Sequence, residues 1–316
     1  MNPVVKIGVQ VLHEDEFYSI TNLLEQPNVE FYSWLRHEYE LPKLLSCDIL
    51  VLFARRHWRY LKFGKPYMLI LADFVTDQKA ISLTKTRKLS FTGYRYSPNS
   101  KFRGFVCGSS ELYSTIVKQN IEAAFYQKKY PFSEIFEKLQ SNNNPKDPKE
   151  IITLINNYKS TASEWKWRKP ENSFKAYLYI SKRSPKFNFF HYGTPHHQVS
   201  FEESNTIQFN ARYTIHIKYW GHVCNAVVKS LALGTPVIMD EITFLKGRYK
   251  SYVRHEENGL VLKSKDEIVR YLNSEHENQT WIKLKANAVS EARRWHFPYS
   301  EIEKLPISKL LAYKND

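Results

Sequence analysis

Between Tyr213 and Phe244 the chain reads YTIHIKYWGHVCNAVVKSLALGTPVIMDEITF, and few arrangements satisfy that pattern. Arg212 to Ile217 alternates apolar with polar side chains and is rich in Tyr, Thr and Ile, which suits a strand. Pro236 to Met239 is a short apolar run of strand type. Between them, His222 to Leu233 at helical spacing puts Val223, Ala226, Val227, Ser230 and Leu231 on one face. His222, Asn225 and Lys229 fall on a different face, and Gly221 and Gly234-Thr235 supply the two turns. The stretch therefore predicts strand, helix and strand, with polar groups gathered at the start of the helix.

A chain of 316 residues with 42% hydrophobic side chains can bury two cores of ordinary size. No run of about 18 apolar residues is present, so no membrane span is expected. Met1 to Leu12 holds one lysine and lacks a small-residue cleavage pattern, so it reads as a first strand and implies a cytoplasmic protein. The three cysteines, Cys47, Cys107 and Cys224, are far apart and in apolar context, as expected of buried free thiols. Lysine and arginine outnumber aspartate and glutamate by 46 to 32, a formal charge of +14. Such an excess favours anionic partners: nucleotide phosphates, nucleic acid or the surface of an anionic membrane.

Val4 to Leu12 predicts a strand, Phe17 to Glu25 a helix, Val29 to Ser33 a strand and Leu41 to Ser46 a short helix. The nearly continuous apolar runs Cys47 to Phe53, Pro66 to Phe74 and Phe102 to Cys107 are strands of a parallel sheet covered on both faces. The last leads through Gly108-Ser109-Ser110 into a helix near Glu111. Phe132 to Leu139 and Glu150 to Trp167 look helical, flanking the polar, proline-containing stretch Ser141 to Lys149. In the second half, FKAYLYI from Phe174 reads as a strand, Phe187 to Tyr192 as another, Gly259 to Leu262 as a third, and Lys265 to Ser274 as a helix. The expected fold class is α/β with two Rossmann-like domains, residues 1–165 and 166–290, followed by a helical tail over 291–316.

Ligands in open α/β sheets bind beyond the carboxyl ends of the strands. Lys182 and Arg183, read as a loop just after the FKAYLYI strand, are the candidate clamp for a diphosphate, because a guanidinium holds two phosphate oxygens at once. Gly221 allows close backbone approach at the start of a helix, whose free N–H groups attract anions. His222, Asn225 and Lys229 on that helix, with Gly193 and His216 at strand ends and the Gly234-Thr235 turn, complete the candidate phosphate-binding set. His191, His196 and His197 near Glu202 and Glu203 lack chelating spacing, so no metal is expected. Aromatic residues make up 15% of the chain and interleave with basic ones, as in Trp165-Lys166-Trp167-Arg168, which suits stacking on sugars or bases.

The phrase AVVKSLALGTPVIMD, with Asn258-Gly259-Leu260-Val261 downstream and PYMLILADF upstream, resembles the GT-B glycosyltransferases. The likeness is strongest from Phe174 to Leu262. It implies two α/β domains facing a cleft, a nucleotide-diphosphate sugar as donor with no other cofactor, and a last helix that crosses back to the first domain. Retaining members carry two glutamates eight positions apart around the donor helix, and here Gly221 and Lys229 stand at those positions. Transfer by inversion needs a base for the acceptor hydroxyl. Asp73, at the end of the PYMLILADF strand, is the first candidate, with His13 and Asp15 as others. The partners implied are a nucleotide sugar and a glycan, lipid-linked or small hydroxyl acceptor, with peripheral membrane contact compatible. A DNA-modifying glucosyltransferase or another nucleic-acid binder is the alternative, and a nucleotide-binding module without catalysis a third.

Overall fold

A computed structural model describes residues 4–11, 28–35, 41–53, 60–71, 89–91, 94–96, 101–107, 110–118, 123–125, 133–141, 148–154, 170–192, 199–219, 224–247 and 249–296. They fall into two compact units that divide between residues 128 and 129. The first unit is built on strands β1 (Val5–Val11), β2 (Val29–Leu35), β3 (Ile49–Phe53), β4 (Tyr67–Leu71), β7 (Phe102–Cys107) and β8 (Ala123–Phe125). All pair in parallel in the order β2-β1-β3-β4-β7-β8, and β5 (Leu89–Phe91) and β6 (Tyr94–Tyr96) pair antiparallel in a separate sheet.

The central strands of this sheet read as unbroken apolar runs because both faces are covered. On β3 and β4, Ile49, Val51, Met68 and Ile70 pack to one side, while Leu50, Leu52, Leu69 and Leu71 pack with Trp34, Phe105 and Cys107 on the other. Helices α1 (Leu41–Ser46) and α2 (Ser110–Val117) flank these strands. Gly8 in β1 is required by packing: a Cβ there would lie 2.9 Å from Cys47 Sγ and 3.0 Å from the Trp34 ring. Tyr60 closes this side by accepting bonds from Gln10 Nε2 at 2.9 Å and Trp34 Nε1 at 3.4 Å.

The second unit contains α3 (Ser133–Ser141), β9 (Glu150–Leu154), α4 (Pro170–Arg183), β10 (Asn188–Tyr192), α5 (Phe201–Asn210), β11 (Tyr213–Ile215), α6 (Asn225–Ala232) and β12 (Val237–Asp240). It continues through α7 (Glu241–Gly247), β13 (Gly259–Leu262), α8 (Lys265–Leu272) and α9 (Glu277–Glu291). Its strands are again all parallel, in the order β10-β9-β11-β12-β13. Two assignments differ from the sequence pattern. Residues 150–154 form the strand β9 rather than a helix, and it lies in the second sheet, between β10 and β11. The FKAYLYI segment lies in helix α4, whose buried residues, Ser173, Ala176, Tyr177 and Ile180, recur at three- and four-residue spacing. Its aromatic and β-branched content points to a strand, and burial of a helical stripe overrides that preference.

Alternation along β11 divides the core. Tyr213, Ile215 and Ile217 pack with Tyr177, Ile180, Ile268 and Leu284, while the opposite layer joins Val227, Val228 and Leu231 of α6 to Tyr249, Tyr252 and Trp295. Over the described part of the tail, residues 291–296, Trp295 stacks on Tyr252 at 5.5 Å and His296 Nε2 donates to Ala232 O at 2.8 Å. Residues 297–316 lie outside the described residues. At the amino edge of the sheet a buried ion pair ties α9 to β11. Arg212 Nε and Nη2 donate to the two carboxylate oxygens of Glu277 at 2.8 and 2.9 Å, under the Trp281 ring 4.4 Å away. Among the described residues no helix is long and apolar enough to cross a membrane.

Candidate active site

The second sheet has its topological switch between β9 and β11. From β9 the chain passes through α4 to β10 on one side, and from β10 through α5 to β11 on the other. Connections that part in opposite directions leave a crevice at the carboxyl ends of those strands, where α/β proteins bind their ligands. Around this point the chain places a set of buried tyrosines, a buried histidine and a helix start.

The end of β11 is braced on both faces. From α4, the Tyr177 hydroxyl accepts from Ile217 N at 2.9 Å and donates to Ile217 O at 3.0 Å. Burial pushes this phenol far above its ordinary range, so it stays protonated and able to donate. From the opposite face, Tyr249 lies in a 3-10 turn (Tyr249–Ser251) with its hydroxyl 2.9 Å from His216 Nε2 and 3.0 Å from Cys224 N, which donates to it. His216 is 1% exposed, and burial, with Lys218 nearby, lowers its pKa to about 3. The ring is therefore neutral, and its Nδ1 is buried with no hydrogen-bond partner among the described residues.

Helix α6 begins here. Cys224 occupies its N-cap in extended conformation and makes no side-chain cap bond, so the first turn is not closed by the cap side chain. The helix is held down on the sheet by Ser230, whose hydroxyl meets Thr214 Oγ1 at 2.7 Å, and by burial of Ala226 through Ala232. Beside it, Asp240 ends β12 and accepts from Thr243 N at 2.8 Å, starting α7, while the Thr243 hydroxyl accepts from Lys218 N at 2.9 Å. Tyr219, half-buried next to Asp240, has its phenol pushed up to about 12 by burial and then by that carboxylate. This edge of the second unit offers a helix start with its partial positive charge, next to hydroxyls and a neutral imidazole.

The structure sorts the sequence-predicted residues. His216 and Asn225 are at this carboxyl edge. Lys229, expected to face the ligand, is 8% exposed and turned against α5, where its ammonium donates to Ser204 Oγ. Lys182 and Arg183 are corrected: they form the exposed last turn of α4, which runs back toward the amino edge, and Arg183 lies 3.9 Å over the Tyr179 ring. A diphosphate at the carboxyl ends is out of their reach. Gly234 and Thr235 are likewise at the amino edge, because α6 is antiparallel to the strands it joins. There Gly234 has φ of +66°, a Cβ on it would stand 2.8 Å from Val289 Cγ2, and Thr235 Oγ1 donates to Gln208 O at 2.7 Å. That turn serves packing. Asp73, His13, Asp15, Gly193, Gly221 and His222 lie outside the described residues. Sequence reasoning missed Tyr177, Tyr249, Asp240 and Thr243. Asp240, closing the VIMD strand, carries a signal of the kind used for Asp73, whereas the two tyrosines meet the site only through long-range packing.

No protein-family model matches the chain, and no curated protein matches it. Solved structures do share its fold. The Anabaena protein HepE in complex with UDP-glucose aligns over 92% of this chain and 95% of its own, with 11% identity and a TM-score of 0.52. Sucrose-phosphate synthase from Thermosynechococcus elongatus aligns over 98% of this chain and 97% of its own, with 10% identity and a TM-score of 0.52. A point mutant of TarM from S. aureus, in complex with UDP among other ligands, covers 85% of this chain and 55% of its own at 9% identity and a TM-score of 0.52. The chain thus has the fold of the GT-B glycosyltransferases, two Rossmann-like α/β units in succession.

Proposed function

We propose that the protein is a glycosyltransferase that moves a sugar from a nucleotide-diphosphate donor to a hydroxyl of a glycan or other acceptor, without a metal ion. The observation that carries this reading is the start of α6 beside the carboxyl end of β11 at the topological switch, in a fold whose solved examples include proteins in complex with UDP and UDP-glucose. Departure of the nucleoside diphosphate leaves growing negative charge on its β-phosphate. Backbone N–H groups and the partial positive charge of a helix start stabilise such charge, by about 0.3–1 kcal/mol per charge where exposed and up to about 2 where partly buried. Neutral His216 and the protonated Tyr177 brace this edge without adding negative charge. Asp73, two residues beyond the carboxyl end of β4, is the proposed base for the acceptor hydroxyl.

The experiment is a panel of nucleoside diphosphates and their sugars followed by thermal unfolding in chelator. A donor at a hundredfold excess over its Kd should stabilise the protein by about 2.7 kcal/mol. No shift with any nucleotide, together with duplex DNA binding that weakens steeply as salt rises, would replace this reading with a nucleic-acid one.

A further inference from the structure

Tyr249 is far in sequence from everything it touches at the carboxyl edge. Its hydroxyl meets Cys224 N at 3.0 Å and His216 Nε2 at 2.9 Å, and its ring packs edge-on against the imidazole with centroids 5.6 Å apart. Tyr249 and His216 are each 1% exposed. A phenol has one proton. The hydroxyl accepts the Cys224 N–H, which leaves its own proton available to His216 Nε2 in the tautomer that carries the imidazole proton on Nδ1. Nδ1 has no partner among the described residues. The imidazole fixes the hydroxyl rotor, and the hydroxyl in turn fixes the direction in which the chain enters α6 at a cap with no side-chain bond of its own.

We propose that Tyr249, oriented by His216, is a positioning residue that sets the first turn of α6 against the diphosphate of the donor. The proposal rests on the donor-site reading above and assigns to this pair the phosphate part of binding. It predicts that the advantage of a nucleoside diphosphate over the bare nucleoside depends on the Tyr249 hydroxyl and on an acceptor at the Nε2 position, while nucleoside affinity does not.

The test measures Kd for UDP and for uridine, and for the other nucleoside and nucleoside diphosphate pairs, by titration calorimetry. Wild type, Tyr249→Phe, His216→Phe and His216→Gln are compared, with Tyr213→Phe as a control that loses a buried hydroxyl at the opposite edge of the sheet. The ratio of nucleoside Kd to diphosphate Kd should fall about tenfold, a loss of about 1.4 kcal/mol, in Tyr249→Phe and His216→Phe. It should recover in His216→Gln, whose side-chain carbonyl stands near the lost nitrogen, and stay at the wild-type value in Tyr213→Phe. An unchanged ratio in Tyr249→Phe overturns the proposal, as does an equal loss for nucleoside and diphosphate. If Tyr249→Phe does not fold, the two His216 variants decide by the same ratio. A wild type that binds no nucleoside diphosphate overturns the donor-site reading and this proposal with it, whereas diphosphate binding insensitive to all these variants removes this proposal alone.

Discussion

Replacing Glu277 by alanine should be among the most damaging single changes to the second unit. The carboxylate receives Arg212 Nε and Nη2 at 2.8 and 2.9 Å and the Tyr213 hydroxyl at 2.9 Å, with the Arg212 and Glu277 side chains 2% and 4% exposed. Without it, Arg212 retains Asn278 Oδ1 at 2.7 Å and Pro148 O at 3.3 Å, but the guanidinium becomes a buried charge with no counter-charge among these partners. Of the three lost bonds, the two from the Arg212 guanidinium, at about 1.5–3 kcal/mol each, bracket the loss at about 3–6 kcal/mol. Measured breakages of buried pairs give about 3–5 kcal/mol, so we expect about 4. With a urea m-value of about 2 kcal/mol/M, the unfolding midpoint falls by about 2 M. The paired change Arg212→Met with Glu277→Leu removes both charges and should return most of the loss. A single variant that loses less than about 1 kcal/mol would show the pair to be solvated, contrary to the geometry described. A double variant as unstable as the single would show that the loss of the Glu277 counter-charge is not the cause.

Gly234→Ala should cost about 2–4 kcal/mol in urea unfolding, from a left-handed backbone and the collision with Val289, and leave donor Kd unchanged because the turn is at the amino edge. Lys285 on α9 buries its ammonium with no hydrogen-bond partner among the described residues, 5.3 Å over the Phe209 ring, and burial lowers its pKa from 10.5 to about 8. The folded state thus binds fewer protons than the unfolded chain between those values, so this group contributes stability that rises with pH from about 8 to 10.5. Lys285→Met should stabilise the protein by about 2–3 kcal/mol at pH 7, a gain that shrinks across that window in parallel unfolding curves. Asp73→Asn should abolish transfer while donor affinity holds, and unchanged turnover would remove Asp73 as the base.

Much of the fold is legible where burial is uniform. β3, β4 and β12 lie between helical layers or at the sheet centre, so nearly every residue is apolar and the run reads as a strand on its own. Helix α4 reads as a strand because Phe174, Tyr177 and Ile180 carry strand-like composition, although their spacing is helical. Strand β9 is hidden because EIITL is too short to show a period. Those two segments put Lys182 and Arg183 at the wrong edge of the sheet, since a residue after a helix and a residue after a strand lie at opposite ends. His216 and Asn225 can be located from sequence because the strand and helix on either side of them are both legible. Tyr177 and Tyr249 carry no local signal: they reach the site across 40 and 33 residues, through contacts that only the assembled sheet creates.

Hydrogen exchange with and without saturating nucleoside diphosphate tests the central claim most directly, because it reports both that a donor binds and where. Slowed exchange is expected in peptides spanning His216 to Val228, at the end of β11 and the start of α6. Exchange should be unchanged in peptides spanning Ser181 to Phe187 and Ala232 to Val237, at the amino edge. Protection confined to the amino-edge peptides, or no protection with any nucleotide in the panel, would contradict the assignment of the donor site.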